Sequence, residues 1–467
     1  MNLIKILSLL LVFSSFTNFA FSQYKVSPNK YAIKFVDKNN SPYNLDKPSE
    51  FLSEKALQRR QKYGIDLNWY DLPVTPQYVD SLKNMGFKIH GISKWHNCVV
   101  VTVDSTCDIQ LLKNVSFVDY DFDWRKNNPK PNANSETLKR PKLKKDNFDY
   151  SLKLKYGNAD NQTQMLNIQI LHNLGYLGQG MTIAVLDAGF TKANELPVFK
   201  KMFEENRILG VYDFVENDYE VYDAGNHGMN VLSCIAADLP DKMIGTAPKI
   251  SAYLFKTEDE NSEYLVEEFN WSFAVEKADS LGVDIIHSSL GYQDFDDDET
   301  SYTHPENNGD VSISTKAADI AVSKGIFVNV SAGNEGNDPW EKVSSPADAD
   351  SCFAVGAVDN KGIIAYFSSH GPTFDGRIKP DGCAKGYNAT VQNIYGRIST
   401  ASGTSFAGPI MAGCIACLMQ AHPNAKVMDI VKALHLAGSI YNKPNNEYGY
   451  GITDFAIAHK ILLKWKM

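Results

Sequence analysis

Seven cysteines in 467 residues are too few for a fold stapled by disulfides, and an odd number leaves one of them unpaired. Cys98 and Cys107 are spaced to pair across the end of a strand. Cys414 and Cys417 fall three apart on a stretch that reads as a buried helix, where a free thiol acts as a small hydrophobe. No Cys or His spacing matches a zinc site, and no internal repeat is visible. Beyond the N-terminus, no window reads as long and apolar enough to span a membrane. Basic charge is scarce where it would matter for nucleic acid: residues 156–467 carry 22 Lys/Arg against 40 Asp/Glu, which excludes a phosphate-binding surface there.

What is present begins with an export signal. Lys5 precedes the apolar stretch Ile6 to Phe13, and Ala20-Phe21-Ser22 has the small-x-small pattern of a signal-peptidase site. Residues 1–22 are therefore expected to be a signal peptide, and the chain to be secreted or periplasmic. Residues 23–124 alternate apolar and polar over 30–36, 87–93, 98–103 and 116–120, with helical patterns at 54–63, 77–85 and 108–113. That order approximates β-α-β-β-α-β, a small α+β, ferredoxin-like module. Residues 125–155 then lose periodicity, with Pro129, Pro131, Pro141 and ten Lys/Arg, and read as a basic linker open to processing. From 156 to 467, apolar strands (182–186, 251–255, 283–288, 326–330, 353–358) alternate with helical stretches (228–237, 262–281, 314–324). This predicts an α/β domain of three layers around a mostly parallel sheet.

In such sheets, chemistry gathers beyond the carboxyl ends of the strands. Asp187 follows the run Thr182 to Leu186. His227 opens an apolar helix within Asn226-His227-Gly228. Ser405 lies in Gly403-Thr404-Ser405-Phe406-Ala407-Gly408-Pro409, ahead of a helix of small residues whose first turn Pro409 suits. A serine hydroxyl is a weak nucleophile at neutral pH. It needs an imidazole as base and a carboxylate to hold that imidazole, and these three residues supply the set.

Their order, Asp then His then Ser, and their local strings resemble the subtilisin-like serine peptidase family. Asp187-Ala188-Gly189, Asn226-His227-Gly228-Met229 and Gly403 to Pro409 stand for its three catalytic motifs. Ser288-Ser289-Leu290-Gly291, Ser331-Ala332-Gly333-Asn334, Ser345-Pro346-Ala347, Phe367 to Pro372, Lys379-Pro380-Asp381 and Gly449-Tyr450-Gly451 follow in family order. The resemblance implies a secreted serine endopeptidase with Asp187, His227 and Ser405 as its triad and Asn334 completing the oxyanion hole. Ser289, Leu290, Gly291, Ser331, Ala332 and Gly333 would bind protein or peptide substrates. Residues 23–124 would be the chain's own inhibitory propeptide, released by self-processing in 125–155. No organic cofactor is implied.

Departures are Ala188 for a hydroxyl residue, Met229 for Thr and Lys385 for Pro. A catalytically silent binding protein of the same fold, or an esterase or acyl transferase using the same triad, is the alternative reading. The acidic run Asp294 to Glu299 lacks a calcium-loop signature and reads as a solvated loop. His287 reads as a packed core histidine, and no metal site is assigned.

Overall fold

The computed structural model describes residues 25–105, 108–120, 122–126, 138–145 and 147–465. The predicted signal peptide, Cys107 and residues 127–137 and 146 of the predicted linker lie outside them.

The N-terminal sheet has four antiparallel strands, β1 (Lys25–Ser27), β2 (Lys30–Lys34), β3 (Lys88–Ser93) and β4 (Cys98–Thr102), in the order β1-β2-β4-β3. Helices α1 (Glu54–Tyr63) and α2 (Pro76–Asn84) lie between β2 and β3. The alternation in Cys98-Val99-Val100-Val101 explains why β4 is buried on both faces. Val99 and Val101 join Ile33, Phe35, Leu82 and Leu112 in a core of the module's own, while Cys98 and Val100 face the large core of the rest of the chain. The strand expected at 116–120 is reduced to one bridge, Val118 to Phe35, because β1 takes up pairing along the same edge of β2. The helix expected at 108–113 is a 3-10 turn, Ile109–Asn114.

The main sheet holds seven strands: β5 (Thr182–Asp187), β6 (Ile208–Asp213), β7 (Ser251–Lys256), β8 (Ile285–Ser288), β9 (Phe327–Ser331), β10 (Phe353–Val358) and β11 (Gly382–Lys385). Their order is β11-β10-β9-β8-β5-β7-β6, and every pairing is parallel. The chain leaves β7 on one side of β5 and re-enters the sheet at β8 on the other, so the carboxyl end of β5 lies at a switch point. Strands β6 and β11 are additions to the sequence reading. The first is a half-exposed edge strand whose register shifts before Gly210, and the second is only four residues long.

Helix α3 (His227–Ala236) packs on β5, and α4 (Val266–Leu281) and α5 (Ile313–Ser323) pack together. Helix α6 (Thr404–Ala421) contacts β8, β9, β10 and β11 and is buried from Thr404 to Met419. It has the length and apolarity of a membrane span, contrary to the sequence reading, but small residues and burial make it the core helix of this fold. Cys414 and Cys417 lie within it as buried free thiols, and Cys98 is also free and buried.

Helix α4 is sandwiched between the two sheets and meets the N-terminal module through both apolar and polar groups, Trp124 packing edge-on against Phe269. Gly91 of β3 lies so close to the Phe273 ring that any Cβ there would overlap it. His90 Nε2 bonds Asn270 Oδ1 at 2.9 Å, and Glu276 accepts from the Ser93 hydroxyl and from the Lys94 and Trp95 N–H groups at 2.7 and 3.2 Å. Asp279, fully buried, pairs with Arg59 at 2.5 Å, Arg60 at 2.8 Å and Lys94 at 3.3 Å. Beside it, Lys324 pairs with Asp71 at 2.8 Å, both with fully buried side chains.

Candidate active site

Three carboxyl strand ends and two helix N-termini converge. Asp187 closes β5 and is fully buried, and His227 is the first residue of α3. Gly228 permits that approach: a Cβ there would lie 2.5 Å from the Gly189 carbonyl oxygen and 2.7 Å from Asp187 Cβ. His227 Nδ1 donates to Asp187 Oδ1 at 2.7 Å, and the Ala188 N–H donates to the same oxygen at 2.8 Å. Asp187 Oδ2 is buried with no donor among the described residues. Burial disfavours the imidazolium, but the Asp187 charge and hydrogen bond, helped by the Glu260 charge, prevail and hold the His227 pKa above its ordinary value.

Ser405 lies in the first turn of α6 and is nearly buried. Its Oγ donates to the Ser289 carbonyl at 3.4 Å rather than to His227, whose ring faces Phe406 with centroids 5.8 Å apart. Asn334 is exposed at the end of the β9 segment. Its Oδ1 accepts from the Thr404 N–H at 2.8 Å and the Thr404 hydroxyl at 3.1 Å, which orients the amide and leaves Nδ2 as the outward donor.

Of the residues expected to bind substrate, Ser289, Ser331 and Ala332 are buried, Leu290 and Gly333 half-buried and Gly291 exposed. The Ser289 and Ser331 hydroxyls donate to the carbonyls of Ser405 and Thr404, both at 2.9 Å. The Ala332 and Gly333 N–H groups are also engaged, by the Val355 carbonyl and the Thr404 hydroxyl. These segments therefore grip the start of α6.

The grip has a cause that the sequence reading misplaced. Pro409 lies in the second turn of α6, not the first, since the helix begins at Thr404. Without an N–H, Pro409 deprives the Ser405 carbonyl of its intrahelical donor, and the Ser289 hydroxyl takes that place. His287, read as inert core, sets the direction of this chain. Asn329 Nδ2 donates to His287 Nδ1 at 2.9 Å and to the Gly408 carbonyl at 3.0 Å, and the carbonyl fixes which way the amide faces. His287 Nε2–H then donates to Ser289 Oγ at 2.9 Å, and Ser289 to Ser405. Burial pushes the His287 pKa down to about 3, keeping the ring neutral. Gly408 makes room, since a Cβ there would lie 2.9 Å from the His287 ring.

The subtilase family model matches residues 178–451, and a model of the peptidase S8 propeptide domain of Bacteroidota matches residues 30–140. This chain belongs to the subtilase family. Subtilisin E of Bacillus subtilis (strain 168) is 29% identical over 319 residues, covering 66% of this chain and 72% of the relative. A subtilisin of Bacillus pumilus is 30% identical over 297 residues, covering 62% and 94%. The crystal structure of MycP1 with the N-terminal propeptide removed matches with a TM-score of 0.51 at 22% identity, covering 64% of this chain and 96% of that one. It shares the fold. The subtilase is thus a serine endopeptidase with a propeptide domain ahead of its α/β domain.

Proposed function

We propose that Ser405 is the nucleophile of this subtilase, His227 its general base and Asp187 the group that holds the imidazole. The observation that carries this is the 2.7 Å bond from His227 Nδ1 to Asp187 Oδ1, which places the proton on Nδ1 and leaves the Nε2 lone pair to act as base. On substrate binding, Ser405 Oγ turns from the Ser289 carbonyl to Nε2 and attacks the scissile carbonyl as its proton passes to His227. The resulting oxyanion is received by Asn334 Nδ2 and the Ser405 N–H at the positive end of α6. Collapse breaks the C–N bond, with His227 returning the proton to the leaving amine. Water then cleaves the Ser405 ester by the same proton path. Substrate main chain is placed along Ser289, Leu290 and Gly291 on one side and Ser331, Ala332 and Gly333 on the other. The role belongs to their backbone, since both serine hydroxyls are engaged beneath α6.

Residues 1–22 act as an export signal, residues 23–124 cover the enzyme until maturation, and self-cleavage in 125–155 separates them from residues 156–467. The test compares wild type with Ser405→Ala as full chains. Wild type should be labelled by a serine-directed phosphonate and processed between residues 125 and 155, with the cut mapped by mass spectrometry, whereas Ser405→Ala should do neither. Normal processing of Ser405→Ala would transfer maturation to another protease. Absence of labelling in processed wild type would sink the nucleophile assignment.

A further inference from the structure

The carboxylates that gather beside the cleft are not the ones that the sequence crowds together. Glu258 follows β7, Glu263 lies in the next loop and Glu267 in the first turn of α4, and each brings one carboxylate oxygen within 4.8 Å of those of the other two. Glu258 and Glu267 are buried, at 8% and 2% exposure, and Glu263 opens to solvent.

The outer sides of the trio are held. Glu258 Oε1 accepts from the Thr257 hydroxyl at 2.6 Å and the Tyr292 hydroxyl at 2.8 Å, and Glu267 Oε1 accepts from the Asp259 N–H at 2.8 Å. Asp296, from the acidic run noted in the sequence, only braces the loop: it accepts from the Glu263 N–H at 3.0 Å and donates its own N–H to the Glu263 carbonyl at 2.7 Å. Among the described residues Glu267 Oε2 is left buried with no donor, and no Lys or Arg pairs with any of the three. Three carboxylates so placed call for a cation between them.

We infer that Glu258, Glu263 and Glu267 form a binding site for a divalent, oxygen-ligated cation of the calcium class. Calcium takes oxygen ligands at about 2.3–2.6 Å, so two oxygens on one ion stand no more than about 5 Å apart, as these do. Three carboxylates supply part of its shell of roughly six to eight oxygens, and the open side at Glu263 admits water for the rest. An all-oxygen set on a loop and a helix turn suits calcium better than zinc, which favours nitrogen and sulfur, or magnesium, which demands near-ideal octahedral geometry. The ion would tie the 258–263 loop to α4. That loop begins at Thr257, whose N–H donates to the Asp187 backbone carbonyl at 3.0 Å, so the tie also steadies the base of the β5 strand end. A proton shared between Glu263 and Glu267 is the competing way to relieve the same crowding.

The test uses the full chain as Ser405→Ala, stripped with chelator, so that no activity is needed and no cleavage intervenes. Calcium is titrated by calorimetry and terbium by luminescence excited through Tyr292, with Glu267→Gln and Glu263→Gln in the same background. Glu263 is exposed, so its variant keeps the fold if the buried one does not. One bound ion is expected, weakened roughly tenfold or more in each variant, with calcium raising the unfolding midpoint of the parent alone. Three outcomes overturn the site: no binding by the parent, unchanged affinity in both variants, or variants that unfold later in calcium-free buffer while calcium shifts none of them.

Discussion

The Ser289 hydroxyl donates at 2.9 Å to the carbonyl of Ser405, the one carbonyl in the first turn of α6 that Pro409 leaves without a helical partner. The peptide of Ser405, the proposed nucleophile, is thus held from below by the residue that follows β8, through a hydrogen-bond chain that starts at Asn329 and His287. Ser289→Ala should lower kcat roughly tenfold with little change in KM, as expected when a buried acceptor loses its donor at a cost of about 1–3 kcal/mol. Pro409→Ala restores a backbone N–H, so in that background the Ser289→Ala loss should shrink. A double-mutant cycle on steady-state kinetics measures the coupling, and additive losses would contradict it.

Asp187 Oδ2 is buried without a donor among the described residues. Ala188→Ser offers that oxygen a hydroxyl donor and should stabilise the protein by about 1 kcal/mol. The unfolding midpoint of the Ser405→Ala full chain, with and without the added hydroxyl, measures it.

Glu260 is exposed yet helps to hold the His227 pKa above its ordinary value, behind the larger effects of burial and Asp187. With neutral His227 as the proposed base, activity should rise with pH as the imidazolium loses its proton. Glu260→Gln removes a negative charge and lowers that pKa, so the acid limb of the kcat/KM profile should move to lower pH. The displacement should be a few tenths of a unit at low ionic strength and smaller at high salt, where the exposed charge is screened.

Burial opposes ionisation of Asp279, but Lys94, Arg59 and Arg60 outweigh it and bring its pKa down to about 2 from an ordinary 3.8. The stabilisation from a depressed carboxylate is complete above its unfolded value and is lost as pH falls from about 4 towards 2. Asp279→Asn removes that pH dependence and leaves the buried Arg59 guanidinium without its anion, while Arg60 keeps Asp71 at 2.7 Å, a loss of about 3–5 kcal/mol. Acid unfolding of the full chain, followed by circular dichroism, should show a lower plateau and a flatter slope in this window.

Asp187, His227 and Ser405 could be proposed from the sequence because each directly adjoins a local signal: a strand end for Asp187, a helix start for His227 and a glycine-rich turn for Ser405. The seven-stranded sheet was legible in five of its strands, since buried parallel strands are continuous apolar runs. Edge strand β6 was not, because its residues are half-exposed and its pairing slips before Gly210. Nor was the glutamate trio. Its members are spaced along a loop and a helix turn like an ordinary solvated face, whereas the contiguous carboxylates at 294–299 drew notice and supply none of the three. His287 gave no signal because its partners, Asn329 and Ser289, lie on different segments.

The face of α4 that carries the N-terminal sheet also decides what the proposed release of that sheet would leave behind. Asn270, Glu276 and Asp279 contribute amide and carboxylate groups there, with Lys324 alongside on the far side of the pair with Asp71. Water can replace each lost partner of these groups, as it could not for an oily contact. The uncovered enzyme would show these wettable groups beside an apolar strip, since Trp95, Cys98, Val100 and Trp124 pack into the same core as Phe269 and Phe273 of α4, and freed copies would clump through that strip.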